Sequence, residues 1–265
     1  CLRLHVTSKL PLHALLPSQV FPSQLDGVAL DVIEARYHPS LEPETARKST
    51  TRQPYTMGGL SCCRSGEGIG TIGMVVIDTT TGKPGILSNW HVLAGPRARR
   101  NDPILQPAER DSDFDPRDRV ARLKRWVLDR SGDAALAELL PDQPWLPLQF
   151  ASFQNLRRVR HARLGEILNK TNRRASTIQA RVDGEGLYRL RYETRPGVCE
   201  FRDIAGFKLV SEGGTPVQSD KSVQSDKMSS AGDSGAAWIS ANSEAAVGLQ
   251  FGGQMPSGMP SEYAY

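Results

Sequence analysis

The chain has 265 residues and a formal net charge of +4, with 24 glycines and 18 prolines. This length can bury the core of one large domain or two small ones, and the glycine and proline content favours a strand-rich protein over a helical bundle. Basic and acidic residues are interleaved without a stacking-aromatic pattern, so no nucleic-acid partner is expected. No stretch is apolar and long enough to span a bilayer, so no membrane partner is expected either.

The four cysteines point to a reducing compartment. They are Cys1, Cys62, Cys63 and Cys199. They form neither a C-x-x-C pair nor the dense framework of a small secreted domain, and the adjacent pair could bridge only with strain. We therefore expect free thiols, a cytoplasmic location, and neither a metal nor a cofactor.

Residues 1–57 differ in pattern from the rest of the chain. The run CLRLHV (1–6) alternates apolar and polar residues as a half-buried strand does. The run LPLHALLPSQ (10–19) is typical of a short helix broken by Pro17, and DGVALDVIEA (26–35) predicts a second strand. A polar, proline-punctuated stretch follows. We expect a small mixed α/β extension that ends in a linker.

From Gly58 onward short strands dominate. The run GTIGMVVIDTTTGKPGILSNW (70–90) predicts a β-hairpin, with a polar Gly/Pro turn between two apolar runs. Further candidate strands follow at intervals that suit a barrel or a sandwich. These candidates are 103–107, 119–128, 133–139, 162–168, 176–182, 187–194, 205–210, 235–240 and 245–253. A proline-rich stretch at 142–156 suits a link between two halves.

The run SSAGDSGAAW (229–238) contains a candidate nucleophile, Ser234. Clusters of Gly, Asp and Ser are also ordinary turn chemistry, so the run alone decides nothing. A serine hydroxyl becomes reactive at neutral pH only when a base lies within hydrogen-bond reach and a carboxylate orients that base. The hypothesis therefore depends on partners elsewhere in the chain.

His91 and Asp133 have the contexts that such partners need. His91 lies in SNWHVLAG (88–95), where an apolar strand ends in a short apolar turn. Its alternative interpretation is a structural histidine at a strand end. Asp133 opens the apolar run GDAALAEL (132–139), where burial of a carboxylate is costly unless it is hydrogen-bonded.

The order His, Asp, Ser and the motifs SNWHVLAG, GDAALAEL and AGDSGAAW together resemble the chymotrypsin-like serine proteases over roughly residues 58–253. The resemblance implies an all-β fold of two six-stranded antiparallel β-barrels. The first barrel would span 58–145 and carry His and Asp, and the second would span 146–265 and carry Ser and the substrate pocket. Residues 1–57 resemble the lead-in of a group of bacterial, largely intracellular trypsin-like peptidases.

The resemblance implies a serine endopeptidase that works through an acyl-enzyme. Ser234 would be the nucleophile, His91 the general base and then acid, and Asp133 the group that orients the imidazole. The backbone N–H groups of Gly232 and Ser234 would form the oxyanion hole. In zymogen-activated relatives the acid before the serine, here Asp233, pairs with a freed N-terminus. No Ile-Val-Gly-Gly-like motif precedes GTIGMVV (70–76) here, so we expect no such activation, and the partner of Asp233 is left open.

By the same resemblance Met228 would lie at the base of the primary pocket, and Phe251 and Gly253 would line the strand that pairs with the substrate backbone. A methionine at the base of the pocket favours substrates with apolar side chains. Because Asp226 is close in sequence, a pocket with an acidic base is the alternative. Plain core packing is the alternative for Phe251.

The expected partner is a polypeptide substrate, and a regulatory domain or partner protein is left open. The alternative function is a catalytically silent module of the same fold, used for binding or as a scaffold. An α/β hydrolase is disfavoured because the sequence has no G-x-S-x-G elbow and no alternation of strands with helices.

Overall fold

The computed structural model describes residues 2–6, 9–34, 49–112, 115–150, 152, 154–171, 177–211, 228–229, 232–253 and 263–264. The chain divides into two compact units, Cys1–Ala46 and Arg47–Tyr265. The boundaries expected for the extension and for the two barrels stay predictions.

The first unit contains a three-stranded sheet. Its strands are Leu2–Val6 (β1), Gln24–Leu25 (β2) and Val28–Glu34 (β3), in the order β1-β3-β2. The turn between β2 and β3 is the pair Asp26 and Gly27, both with positive φ, which is the backbone that a tight hairpin requires.

The prediction of a short helix within residues 10–19 is wrong. Two short 3₁₀ turns, Leu12–Ala14 and Pro17–Gln19, take its place. Pro17 has no N–H to donate to the preceding turn, and the segment between Pro11 and Pro17 is too short to nucleate an α-helix.

The first half of the second unit is a curled sheet of seven strands, in the order β6-β5-β9-β10-β11-β8-β7. In chain order the strands of this half are Thr56–Gly58 (β4), Ser61–Arg64 (β5), Gly70–Thr71 (β6), Met74–Ile77 (β7), Pro84–Ser88 (β8), Pro103–Leu105 (β9), Arg119–Asp129 (β10), Gly132–Leu139 (β11) and Trp145–Gln149 (β12). Strands β4 and β12 pair separately and in parallel. The helix Trp90–Leu93 (α1) follows β8 directly.

The second half is another curled sheet of seven strands, in the order β13-β18-β17-β14-β15-β16-β19. Its strands are Arg158–Val159 (β13), Ile167–Thr171 (β14), Thr177–Arg195 (β15), Val198–Ser211 (β16), Ala237–Ser240 (β17), Ala245–Leu249 (β18) and Tyr263–Ala264 (β19). Buried side chains of β7, β17 and β18 pack together where the two sheets meet.

The expectation of an all-β protein with two barrel-like sheets is confirmed. Each sheet has seven strands rather than the expected six. In the second sheet, two-residue strands add to both edges, β13 beside β18 and β19 beside β16. Such short pairings have no periodic signal, because two residues cannot show an alternation.

Two expected strands, 176–182 and 187–194, form one continuous strand. Strand β15 runs through Asp183–Gly186 and pairs along its length with β16. The stretch DGEG is therefore not a turn; its first glycine, Gly184, lies at a register irregularity after Val182, as glycines in bulged strands do. Beyond the part of β15 that pairs with β14, the two strands form a two-stranded ribbon, residues 183–206, called here the β15–β16 ribbon.

The segment 49–58, part of the polar stretch expected to be a linker or an exposed loop, is packed into the second unit. Ser49, Gln53, Thr56 and Met57 are all buried. The backbone N–H of Gln53 donates a hydrogen bond to the side-chain oxygen of Gln106. Specific polar contacts from residues distant in sequence thus bury a stretch whose composition is typical of a loop.

Candidate active site

His91 and Asp133 meet at one end of the first sheet, where strand β8 ends and the neighbouring strand β11 begins. Strand β8 leads into α1, which carries His91, and β11 pairs with β8 through Ala135 and Ser88. Nδ1 of His91 lies 2.5 Å from Oδ2 of Asp133. Oδ1 of the same carboxylate accepts the backbone N–H of Trp90 at 2.7 Å. The two residues that the sequence proposed as base and orienting acid are therefore in direct contact.

The carboxylate of Asp133 is withdrawn from water and well satisfied. Its side chain is 0 % exposed, whereas that of His91 is 27 % exposed. Tyr192 donates its hydroxyl to Oδ2 at 3.0 Å, and Asn89 donates its side-chain amide to the backbone oxygen of Asp133 at 2.8 Å. A buried carboxylate is tolerated when several donors surround it. The imidazole, in contrast, is partly exposed to solvent.

The turn around Ser234 depends on glycines on both sides. Gly232 and Gly235 have φ values of +92° and +90°, a region that L side chains avoid. A Cβ on Gly235 would lie 1.9 Å from Oγ of Ser88 and 2.4 Å from the carbonyl oxygen of Thr71. The two glycines of G-D-S-G are therefore required, both by their backbone geometry and, at Gly235, by the close approach of the first sheet.

This turn packs against β6 of the first sheet, next to the helix that carries His91. The N–H of Thr71 donates to the carbonyl oxygen of Ser234 at 2.8 Å. The hydroxyl of Thr71 donates to the carbonyl oxygen of Gly232 at 2.7 Å. A Cβ on Gly70 would meet Val92 at 2.4 Å and the carbonyl oxygen of Ser234 at 3.0 Å. Strand β6 thus lies against both the serine turn and α1.

Two features of the serine turn bear on its chemistry. Within the described ranges, Ser234 and His91 share no hydrogen bond; such bonds are often long without substrate and shorten when it binds. In the same ranges, the N–H groups of Gly232 and Ser234 have no acceptor, while the next one, of Gly235, donates to Gln250. Two unused donors beside a serine are what an oxyanion hole needs.

Asp233, whose partner the sequence left open, pairs with Lys170. Nζ of Lys170 lies 3.1 Å from Oδ2 of Asp233 and also donates to the carbonyl oxygen of Met228 at 2.9 Å. The ammonium lies 5.0 Å from the centre of the Trp238 ring. Burial lowers the pKa of Lys170, and the charge of Asp233 opposes that shift. A buried ion pair thus joins strand β14 to the turn that carries Ser234.

The three residues expected to bind substrate lie in different surroundings. Met228 is fully buried among apolar side chains of the second sheet. Phe251 lies against Gly206 and Tyr188 and lines a largely apolar cavity of about 290 Å³ beside Asp133. Gly253 is half-buried, and Asp226 lies outside the described residues. The substrate-binding roles of Met228, Phe251 and Gly253 stay predictions.

Sequence reasoning missed two residues of this site, Lys170 and Tyr192. A signal for Lys170 was present: in ILNKT it stands two residues after Leu168, on the inward face of the strand, where an unpaired ammonium would be very costly. Tyr192 had no such signal. It stands in an alternating strand, and its partner Asp133 is distant in sequence.

Among the residues that the structure describes, no three His, Cys, Asp or Glu side chains are grouped to hold a metal ion. In the same part of the chain, no helix is long and apolar enough to cross a membrane.

The sequence matches no family model and no curated protein, but the fold has clear structural neighbours. A Nocardiopsis protease, NAPase, superposes with a TM-score of 0.52 at 14% identity, covering 79% of this chain and 90% of its own. Cellulomonas bogoriensis chymotrypsin gives a TM-score of 0.50 at 12% identity, covering 75% of this chain and 84% of its own.

A third neighbour is a glutamic-acid-specific serine protease that uses a histidine triad in substrate binding. It gives a TM-score of 0.50 at 13% identity, covering 79% of this chain and 91% of its own. At such identities the likeness shows the fold. These neighbours are serine proteases, and this protein has the chymotrypsin-like double β-barrel fold that they share.

Proposed function

We propose that this protein is a serine endopeptidase with Ser234, His91 and Asp133 as its catalytic triad. The observation that carries the proposal is the 2.5 Å contact between Nδ1 of His91 and the buried carboxylate of Asp133. A carboxylate that occupies Nδ1 fixes the tautomer in which Nε2 is free to act as a base. The packing of the serine turn beside α1 supports Ser234 as the group that Nε2 deprotonates.

In the proposed reaction Nε2 of His91 takes the proton of Ser234 as Oγ attacks the carbonyl carbon of the substrate. The N–H groups of Gly232 and Ser234 receive the negative charge that develops on the carbonyl oxygen. When the C–N bond breaks, the imidazolium protonates the leaving amine, and an acyl-enzyme remains. Water, deprotonated by His91, then releases the acid and restores the hydroxyl.

The proposed substrate is a polypeptide, and the proposed setting is a reducing, cytoplasmic compartment. Cys62, Cys63 and Cys199 are free thiols, which fits reducing conditions. We retain Met228, Phe251 and Gly253 as the proposed substrate-binding residues. A cleavage profile on a peptide library would test them: a preference for large apolar residues before the scissile bond supports Met228 as the pocket floor, whereas cleavage after Arg or Lys contradicts it.

A fluorophosphonate probe tests the nucleophile. We expect it to label the wild-type protein and not Ser234→Ala. The matched control is Ser243→Ala, because Ser243 lies in the turn between β17 and β18 and its buried hydroxyl has no partner among the described residues. Labelling that persists in Ser234→Ala would remove the proposed nucleophile. A folded wild-type protein that takes no label supports the silent binding module instead.

A further inference from the structure

Four hydrogen bonds converge on the carboxylate of Asp133, and one of them comes from the second sheet. Three donors belong to the α1 segment: the N–H of Trp90 at 2.7 Å, the N–H of His91 at 3.4 Å and Nδ1 of His91 at 2.5 Å. The fourth is the hydroxyl of Tyr192 on β15, 3.0 Å from Oδ2. Oδ2 therefore binds His91 and Tyr192 together.

The tyrosine is held firmly in this position. Tyr192 is 7% exposed, and its ring packs edge-to-face on Trp90 with 6.1 Å between ring centres. Its ring centre also lies 6.0 Å from that of His91. Farther along the β15–β16 ribbon, the N–H of Ala205 donates to the carbonyl oxygen of Arg130, which ties the ribbon to the turn before β11.

The hydroxyl stays a donor over the working pH range. Burial and the charge of Asp133 raise the pKa of Tyr192. The titratable groups in contact with the His91 ring are Asp133 and Tyr192, among the residues described. At the end of α1, the guanidinium of Arg64 binds the carbonyl oxygen of Ala94 and is paired with Glu67 and Asp102, so its charge is compensated.

We infer that Tyr192 is a positioning residue for the catalytic pair, acting through Asp133. This inference rests on the proposed function. A phenol that donates to Oδ2 draws negative charge away from the carboxylate and restrains its rotation. Removing the donor leaves more charge facing Nδ1, so the imidazolium of His91 becomes more stable. The imidazole also loses part of its fixed orientation.

The test is Tyr192→Phe, which removes one oxygen and keeps the ring packing. The chemically matched control is Tyr55→Phe, since Tyr55 is 45% exposed in the first half of the unit. We expect kcat of Tyr192→Phe to fall by about tenfold with KM little changed, the size of effect expected when a hydrogen bond to a charged group is lost. The acid limb of kcat/KM should move to higher pH, because the carboxylate of Asp133 then keeps more of its negative charge.

A second measurement makes the inference independent of activity. The pKa of His91 is followed by NMR in wild type and Tyr192→Phe, with His91→Gln used to assign the resonance. A higher pKa in Tyr192→Phe alone supports the inference, even if the wild type fails to react with the fluorophosphonate and the proposed function falls. An unchanged pKa of His91 in Tyr192→Phe overturns it whatever the effect on kcat, as does an equal change in Tyr55→Phe.

Discussion

Nζ of Lys170 and Oδ2 of Asp233 lie 3.1 Å apart, with 0% and 2% of their side chains exposed. The pair joins strand β14, near its C-terminal end, to the residue before Ser234. An internal side chain therefore supplies a cation to the turn that carries Ser234.

Lys170→Met should destabilise the protein strongly. The substitution removes the cation of the pair and every hydrogen bond that Nζ makes, to Asp233, Met228 and Gln250. Breaking a buried pair by removing one partner costs about 3–5 kcal/mol. The measurement is urea unfolding at neutral pH. The matched variant Lys170→Met with Asp233→Asn removes both charges and should recover most of the loss. Equal stability of wild type and Lys170→Met would contradict the structure of this pair.

Alkaline pH should lower activity through Lys170. Its pKa is lowered by burial, so the ammonium loses its proton at a lower pH than an ordinary lysine does, and the tie to Asp233 then weakens. Between the lowered pKa and the unfolded value the unfolded chain binds more protons, so this group makes the free energy of unfolding rise with pH. We therefore expect activity to fall in a pH range in which the titration of Lys170 does not lower the free energy of unfolding.

The check is the pH profile of kcat/KM for wild type and Lys170→Arg, with unfolding curves at the same pH values. A guanidinium stays charged in this range, so the alkaline limb should move to higher pH in an active Lys170→Arg. An alkaline limb that does not move in a folded, active variant would show that another group causes it.

Asp133→Asn should reduce turnover by about 10⁴-fold with the fold kept, because an amide stabilises the wrong imidazole tautomer. The control is Asp129→Asn, an exposed acid that caps the turn before β11 through Ser131. Steady-state kinetics on a peptide ester, with a melting curve for each variant, measure the effect. Near-normal turnover in Asp133→Asn excludes the assignment.

Gly235→Ala should disrupt folding. The position has φ of +90°, and the new methyl group would overlap Oγ of Ser88 and the carbonyl oxygen of Thr71. Strain together with a clash against backbone should cost about 2 kcal/mol or more. The control is Gly184→Ala, where a Cβ meets no atom within 4 Å. Similar melting temperatures for the two variants would mean that the turn can relax.

The thiols should differ in reactivity. Burial raises the pKa of Cys62, and it raises the pKa of Cys63 to about 11, whereas Cys199 is exposed. Because the thiolate is the reactive form, iodoacetamide at pH 8 should modify Cys199 rapidly and the adjacent pair only after unfolding. Mass spectrometry of peptides reads out each site. Rapid labelling of Cys62 in folded protein would contradict its burial.

Local patterns were sufficient for much of the architecture. The hairpin of β7 and β8, the strands β10 and β11 and the segments of β17 and β18 each have alternating or apolar runs bounded by turn residues. Where local patterns failed, a long-range contact decided the structure. The ribbon runs through DGEG because β16 offers partners along its whole length, and 49–58 is buried by contacts from distant residues.

The sequence by itself determined the candidates for the chemistry: the residue types, their chain order, and the glycines around Ser234. The tertiary structure alone decided which side chains meet. In the fold His91 contacts Asp133, Lys170 pairs with Asp233, and Tyr192 of the second sheet donates to the carboxylate of Asp133. The physical reason is that hydrogen bonds and buried ion pairs depend on distances of about 3 Å in space, and a linear pattern does not encode such distances.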